Sequence, residues 1–521
     1  MANRLVIGVD SSTTATKALA WDRRGTIKAQ ARASLPTRNP RPGWYEQDAE
    51  LWWATLCETL RELTGQIDPR RVESLCITNQ RETVVPVGTG GEPLRPAILW
   101  LDGRCRPQLD LLERRIGGHR LARITGKPLS TVPSLAKLLW IAEEEPEIFR
   151  CAGRFLEAHA FLVQRLTGRY RTSLACADPV GLVDMERGCW AGELLRELGF
   201  RHEQLPELYP PGEVLGTLSR AATETTGLPE GLPIVAGAGD GQCAGLGVNV
   251  TEPGSAYLIM GTGVIGGVAS PAYRTDPAFR TLFSPLPGTY YLETVIKAGV
   301  FTVAWFAERF AAELDKPWLP VSVEDLLEQG ARQVPPGSEG LLLVPYWLGA
   351  MNPYWDADAT GVMLGWTGAH GAAHFYRAIL EGIAFEQRLA LEGLRSAGIP
   401  AVEELRIVGG GSKSELWCRI MADITGNPVV RCRCPESSAL GAGMLAAAAA
   451  GWYPDASHAA AAMSDLGERF EPDPTSRETY ERLYSEVYKP LFPAVRPLMD
   501  RLAELSAAAA LRPPECPQRS P

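Results

Sequence analysis

The sequence contains no Walker A loop and no G-x-S-x-G elbow, so P-loop nucleotidases and α/β-hydrolases lose their main sequence supports. It has no surplus of positive charge. Fifty-two Lys and Arg stand against 61 Asp and Glu, a net charge of −9. Nucleic acid is therefore not expected as a partner, because neutralising phosphates takes clustered cations. No basic stretch followed by an apolar core and a small-residue cleavage site opens the chain, so a secretory leader is not expected. The longest uncharged run, between Glu252 and Arg274, is interrupted by Gly254, Gly261, Gly263, Gly266, Gly267 and Pro271. That pattern suits a strand and a turn, and no membrane span is expected. Cysteine is present as 11 scattered residues, an odd number, with no second pair at zinc spacing beside Cys432 and Cys434. Reduced thiols and a cytoplasmic location are the expectation. His370 and His374 stand four apart without H-E-x-x-H, and read as a surface pair at a helix start.

What is present is a chain of 521 residues, 45% hydrophobic and 22% charged, the balance of a globular protein. That length predicts about two to four domains. Residues 4–36 read as a three-stranded meander: RLVIGVD, KALAWD and TIKAQARASL, separated by polar turns. Three- and four-residue spacing of Leu51, Trp52, Leu56, Leu60 and Leu63 predicts a helix over 48–65, and 134–145 reads as another. VESLCIT (72–78) and LPIVAGAGD (232–240) read as strands. TEPGS is a breaker, so a domain boundary is expected near 252. SAYLIMGTG (255–263) then repeats the strand-and-polar-turn opening of the N-terminus, a sign of duplication. Helices are expected over 374–395, 412–425, 437–450 and 477–505, with a strand at 405–411. The Ala- and Pro-rich residues 506–521 read as a tail.

Five clusters can carry chemistry. In Asp10-Ser11-Ser12-Thr13-Thr14-Ala15-Thr16-Lys17, hydroxyls and backbone N–H groups in a tight turn can cradle phosphate, Asp10 can hold Mg²⁺, and Lys17 can offset phosphate charge; a plain Ser/Thr hairpin explains the same residues. Gly261-Thr262-Gly263-Val264-Ile265-Gly266 matches G-x-G-x-x-G, but GVASPAYRTDP follows where a dinucleotide site needs a helix; a second phosphate-facing hairpin fits better. Gly409-Gly410-Gly411 before a helix allows close approach of a ring or phosphate, or is a bare turn. Asp240, ringed by glycine at a strand end, can take a proton from a hydroxyl, or cap the next helix. Arg81 and Glu82, in the polar run after strand 72–78, can bind a polyhydroxy substrate, or pair with each other at the surface.

In this order, these parts resemble the FGGY carbohydrate kinases, the family of glycerol kinase, xylulose kinase and related sugar kinases. The likeness runs from about residue 4 to about 495. Ser134–Glu144, with Lys137 and Trp140, looks like one family signature, and Gly361–Trp366 with His374-Phe375 and Ala378–Glu381 is similar to the second. Gly43–Asp48 and Trp100–Arg104 also look like family segments. The resemblance implies an α/β fold of two actin-like (ribonuclease H-like) domains, residues 1–252 and 253–505, with ATP and Mg²⁺ in the cleft between them. It implies Asp240 as catalytic base, Asp10 at the metal, Thr13, Thr14 and Lys17 on the first phosphate loop and Thr262 on the second. Gly299 falls near the nucleotide, Gly410 and Ser414 at the adenosine site, and Arg81, Glu82 and Trp100 at the substrate. A homo-oligomer is compatible with it. Trp366 stands where the family has an aliphatic residue. Val132 stands where glycerol kinase has a tyrosine, Gly241 where it has a glutamine after the aspartate, and Val303 where it has a nucleotide-contacting glutamine. These losses are expected to widen the pocket, which favours a ketopentose such as xylulose or ribulose, with glycerol as the alternative and a non-catalytic actin-like ATP-binding protein as the further one.

Overall fold

The computed structural model describes residues 4–311 and 321–510. The chain opens with β1 (Leu5–Ser11), β2 (Ala15–Trp21) and β3 (Ile27–Ser34), the predicted meander. Next comes α1 (Ala49–Gln66), whose N-cap Asp48 accepts from the Glu50 N–H at 3.0 Å and whose Trp52, Leu56, Leu60 and Leu63 are buried. After it come β4 (Val72–Asn79), α2 (Ser134–Glu144), β5 (Val214–Thr217), β6 (Pro233–Val235) and α3 (Asp240–Gly247). The six strands form one sheet in the order β5-β6-β4-β1-β2-β3. β1 pairs antiparallel with β2 and parallel with β4, and β6 pairs parallel with β4. The apolar segment at 232–240 is a strand only over Pro233–Val235. The glycines that follow carry the chain to Asp240, which opens α3.

The second sheet repeats the plan. It contains β7 (Ser255–Met260), β8 (Val264–Ser270), β9 (Arg280–Phe283) and β10 (Tyr290–Ile296), followed by α4 (Val300–Phe310) and α5 (Ala372–Ser396). It continues with β11 (Glu404–Val408), α6 (Glu415–Thr425), β12 (Val429–Cys432), α7 (Ser437–Ala449) and β13 (Leu466–Phe470). The strand order is β9-β10-β8-β7-β11-β12-β13. β7 is antiparallel to β8 and parallel to β11, as β1 is to β2 and β4. The short echo between the two strand-and-turn openings is thus a repeat of topology. Where one helix is expected over 477–505, there is a helix Pro474–Leu483, a π turn at 484–488 and α8 (Lys489–Ala510). Residues 511–521 of the expected tail lie outside the described residues.

Helix α7 belongs to the second half by sequence but packs on the first sheet, with Ala439, Leu440 and Met444 in one core with Val6, Leu19 and Trp21. Small residues make this contact. A Cβ on Gly8 of β1 would lie 2.0 Å from the Ala439 carbonyl oxygen, and one on Gly441 would lie 1.9 Å from that of Cys243 in α3. Helices α3 and α7 therefore cross in near-backbone contact between the two sheets, which fixes where Asp240 stands.

Candidate functional site

The hairpins β1–β2 and β7–β8 and the N-terminus of α3 converge on an interdomain cavity of about 190 Å³. Thr13, Arg81, Glu82, Trp100, Val132 and Asp240 line it from the first half, and Thr262, Gly263, Arg280 and Lys297 from the second. Seven residues singled out in the sequence, Thr13, Arg81, Glu82, Trp100, Val132, Asp240 and Thr262, therefore meet in one space.

Asp240 is the first residue of α3. Its Oδ1 accepts from Arg81 Nε at 3.0 Å and from the Gly241 N–H at 2.8 Å, and 36% of its side-chain surface remains open. Burial raises its pKa and Arg81 opposes that shift; Glu82 and Glu293 raise it further. The carboxylate is thus more basic than an ordinary aspartate while held in a defined orientation. A Cβ on Gly239 would sit 2.3 Å from Arg81 Cδ, so glycine there gives the guanidinium its path to Asp240.

Arg81 Nη1 also donates to Glu293 of β10 at 2.8 and 3.1 Å. Glu293 accepts in addition from Arg280 Nε at 2.8 Å and Nη2 at 2.6 Å, and Arg280 Nη1 donates to Glu82 at 2.6 Å. Burial alone would raise Glu293, but the two guanidiniums outweigh it and hold its pKa below the usual range. Glu82 takes its position at φ 52°, a left-handed conformation uncommon for a non-glycine residue. A continuous ionic network therefore joins Asp240 to the other half of the molecule. Glu293 and Arg280 were not singled out in the sequence. The available signal was one acid inside the apolar strand YYLETVI, and the topology decides which cations meet it.

At the first hairpin, Thr13 Oγ1 accepts from Trp100 Nε1 at 3.0 Å and donates to Gln80 at 3.3 Å. Thr14 is exposed at the tip. Lys17 lies opposite Asp10 across β1–β2 and donates to both carboxylate oxygens of Glu436 at 2.7 and 2.8 Å. Asp10 Oδ1 is buried without a hydrogen-bond partner. Burial, then the Asp240 charge, pushes Asp10 up to about 7, with Lys17 opposing. A buried, unsatisfied carboxylate beside a second acid fits a cation-binding role. At the second hairpin, the Thr262 carbonyl accepts from Gly299 N at 2.9 Å and Phe301 N at 3.1 Å. A Cβ on Gly299 would stand 2.8 Å from Val264 N, so glycine permits this junction.

Gly410 and Ser414 lie apart from this cavity, on the turn between β11 and α6. No atom lies within 4 Å of where a Gly410 Cβ would point, and Ser414 Oγ caps α6 by accepting from Trp417 N at 3.0 Å. A larger cavity of about 730 Å³ borders the same turn at Gly409, Ser412 and Lys413.

Two expectations about the pocket change. Gly241 does not leave a void: a Cβ there would already lie 3.0 Å from both Arg81 Nη2 and Glu293 Oε2, so the network fills that space. Val303 is buried in the core of the second half and does not line the cavity. Val132 does line it. Its loop is held by Lys137 of α2, which is fully buried and donates to the Thr131 and Val132 carbonyls at 2.9 and 2.6 Å. Trp366 is 55% exposed and packs edge-on against Phe375.

Two domain profiles match this chain: the N-terminal domain of the FGGY family of carbohydrate kinases over residues 5–247, and the C-terminal domain over 256–450. The chain belongs to the FGGY family of carbohydrate kinases. It is a sugar kinase of the two-domain actin-like fold, and kinases of this family use ATP. It is 29% identical over 493 residues to a xylulose kinase of Bacillus subtilis (strain 168), covering 94% of this chain and 97% of that one. A gluconokinase of the same organism is 28% identical over 450 residues, covering 86% and 88%. Among solved structures, the xylulose kinase from Rhodospirillum rubrum superposes with a TM-score of 0.87 at 30% identity, covering 95% of this FGGY kinase and 100% of that chain. No helix among the described residues is long and apolar enough to cross a membrane.

Proposed function

We propose that this FGGY kinase transfers the terminal phosphoryl group of ATP to a hydroxyl of a small sugar, a ketopentose such as xylulose or ribulose. The observation that carries the reading is the opening of Asp240 into a cavity bordered by Arg81, Glu82 and both hydroxyl-bearing hairpins. The substrate hydroxyl lies against Asp240, which takes its proton as the oxygen attacks in line. Arg81 orients the Asp240 carboxylate. Glu82 and Trp100 hold the sugar, and Thr13, Thr14, Lys17 and Thr262 face the phosphates with Gly299 behind them. Gly410 and Ser414 border the adenosine. Asp10, with its unsatisfied buried oxygen, would hold Mg²⁺, which when bound offsets phosphate charge. Enclosure between the two halves excludes the water that would waste ATP.

The ketopentose choice rests on the relatives named xylulose kinase and on Val132, whose small side chain leaves room at the cavity wall. Cysteines unbridged among the described residues are in keeping with a cytoplasmic location. The test is ADP release with Mg-ATP and a panel of ketopentoses, ketohexoses, pentitols, erythritol and glycerol. One compound stimulates, and Asp240→Ala abolishes the stimulation while nucleotide still binds. Near-normal turnover in that variant removes Asp240 from its role, and strong glycerol turnover replaces the substrate class.

A further inference from the structure

Lys297 follows directly on β10 and lines the same cavity as Asp240 and Thr262. Val295, two residues earlier, and Ile265, its cross-strand partner, line it as well, as the alternation of a strand requires. The cavity wall combines apolar side chains, among them Val132, Ile259, Ile265, Val295 and Met351, with the polar Thr13, Glu82, Asp240 and Thr262. Among the described residues no carboxylate or carbonyl is paired with Lys297. Burial lowers its pKa, and the other charges acting on it, Lys137 and Arg106, are cations that lower it further. The cavity acids are engaged elsewhere, Glu82 with Arg280 and Asp240 with Arg81. Lys137 spends its hydrogens on backbone carbonyls, and Arg106 pairs with Asp358. One lysine of the cavity wall is thus without a hydrogen-bond partner among the described residues.

An ammonium group only donates. Its complement is an oxygen that only accepts, the carbonyl of a ketose or the carboxylate of a sugar acid. A hydroxyl at that position brings a hydrogen of its own, and the cavity acids already accept from Arg280 and Arg81, so that hydrogen competes for an engaged acceptor or is left unpaired. Resting on the proposed binding of a ketopentose in the Asp240 cavity, we propose that Lys297 is a specificity-determining residue that donates to an acceptor-only oxygen of the substrate. It selects oxo sugars over alditols of the same length.

The experiment compares kcat/KM for D-xylulose, D-xylonate and xylitol in the wild type, Lys297→Met and Lys297→Arg, with melting temperature and ATP binding as controls of folding. The wild type is expected to favour xylulose or xylonate over xylitol by about tenfold or more. Lys297→Met is expected to collapse that ratio, mainly through KM, and Lys297→Arg to restore part of it. Preference for xylonate keeps the role of Lys297 and replaces the ketopentose reading. Equal use of xylitol by the wild type, or an unchanged ratio in a folded Lys297→Met, overturns the inference. Absence of turnover with all three compounds, ATP still bound, overturns the xylulose reading and this inference with it.

Discussion

Replacing Glu293 by Gln tests whether the ionic network joins the two halves and tunes Asp240, the proposed base. The carboxylate is fully buried and accepts from two guanidiniums whose side chains are 3% and 7% exposed. Removing one partner from a buried charge network costs about 3–5 kcal/mol, because the remaining charges stay desolvated. Here the lower end, about 3 kcal/mol, is expected, since Arg81 keeps Asp240 and Arg280 keeps Glu82. Without Glu293, Arg81 turns more of its charge on Asp240 and lowers its basicity, so kcat falls by about tenfold, equivalent to about 1.4 kcal/mol. Denaturant titration reads the first quantity and ADP release under saturating sugar the second. A double-variant cycle with Arg280→Met is expected to give a coupling above about 1 kcal/mol. Stability within about 0.5 kcal/mol of wild type, with kcat unchanged, would show that the network neither holds the halves together nor acts on Asp240.

Two further outcomes follow from the same structure. Burial raises Glu386 from 4.5 to about 7 against hydrogen bonds from Tyr488 and Tyr346. The folded state therefore holds this proton where the unfolded state has lost it, and stability falls as pH rises from 4.5 through 7. Glu386→Gln is expected to flatten the pH profile by up to about 3 kcal/mol over that window, read by denaturant titration at pH 5, 6, 7 and 8. A profile as steep as wild type would count against the assignment. Gly239→Ala places a Cβ 2.3 Å from Arg81 Cδ. The guanidinium must leave Asp240, so turnover is expected to fall by about a hundredfold, more than stability loss explains; normal kinetics in a folded variant would contradict this.

Much of the fold was legible locally. The three-stranded opening, α1 and α2 appear in the sequence because alternation and three- and four-residue spacing are local properties that burial then selects. The two polar hairpins, Asp240, and the Arg81-Glu82 pair were visible because polar residues at the ends of apolar strands are conspicuous. The repeat of strand order between the halves was only hinted at, since strand pairing joins residues far apart in the chain. Gly241 shows the limit of position-by-position reading: a lost side chain suggested space, yet Arg81 and Glu293 occupy it. Helix α7 lies about 430 residues from β1 and packs directly on it, which no local pattern records.

The sequence by itself determined where most strands and helices lie, because alternation and spacing are local properties, and its motifs carried the resemblance to the kinase family; it did not foresee the short strand at Pro233–Val235 or the break at 484–488. The tertiary structure alone decided that Glu293 and Arg280 complete the ionic network that reaches Asp240, that Asp10 keeps an oxygen unsatisfied, and that Lys297 lines the cavity unpaired among the described residues. Those are facts about distance and desolvation between segments that meet only when the two sheets close on each other, and burial there converts ordinary side chains into strong electrostatic partners.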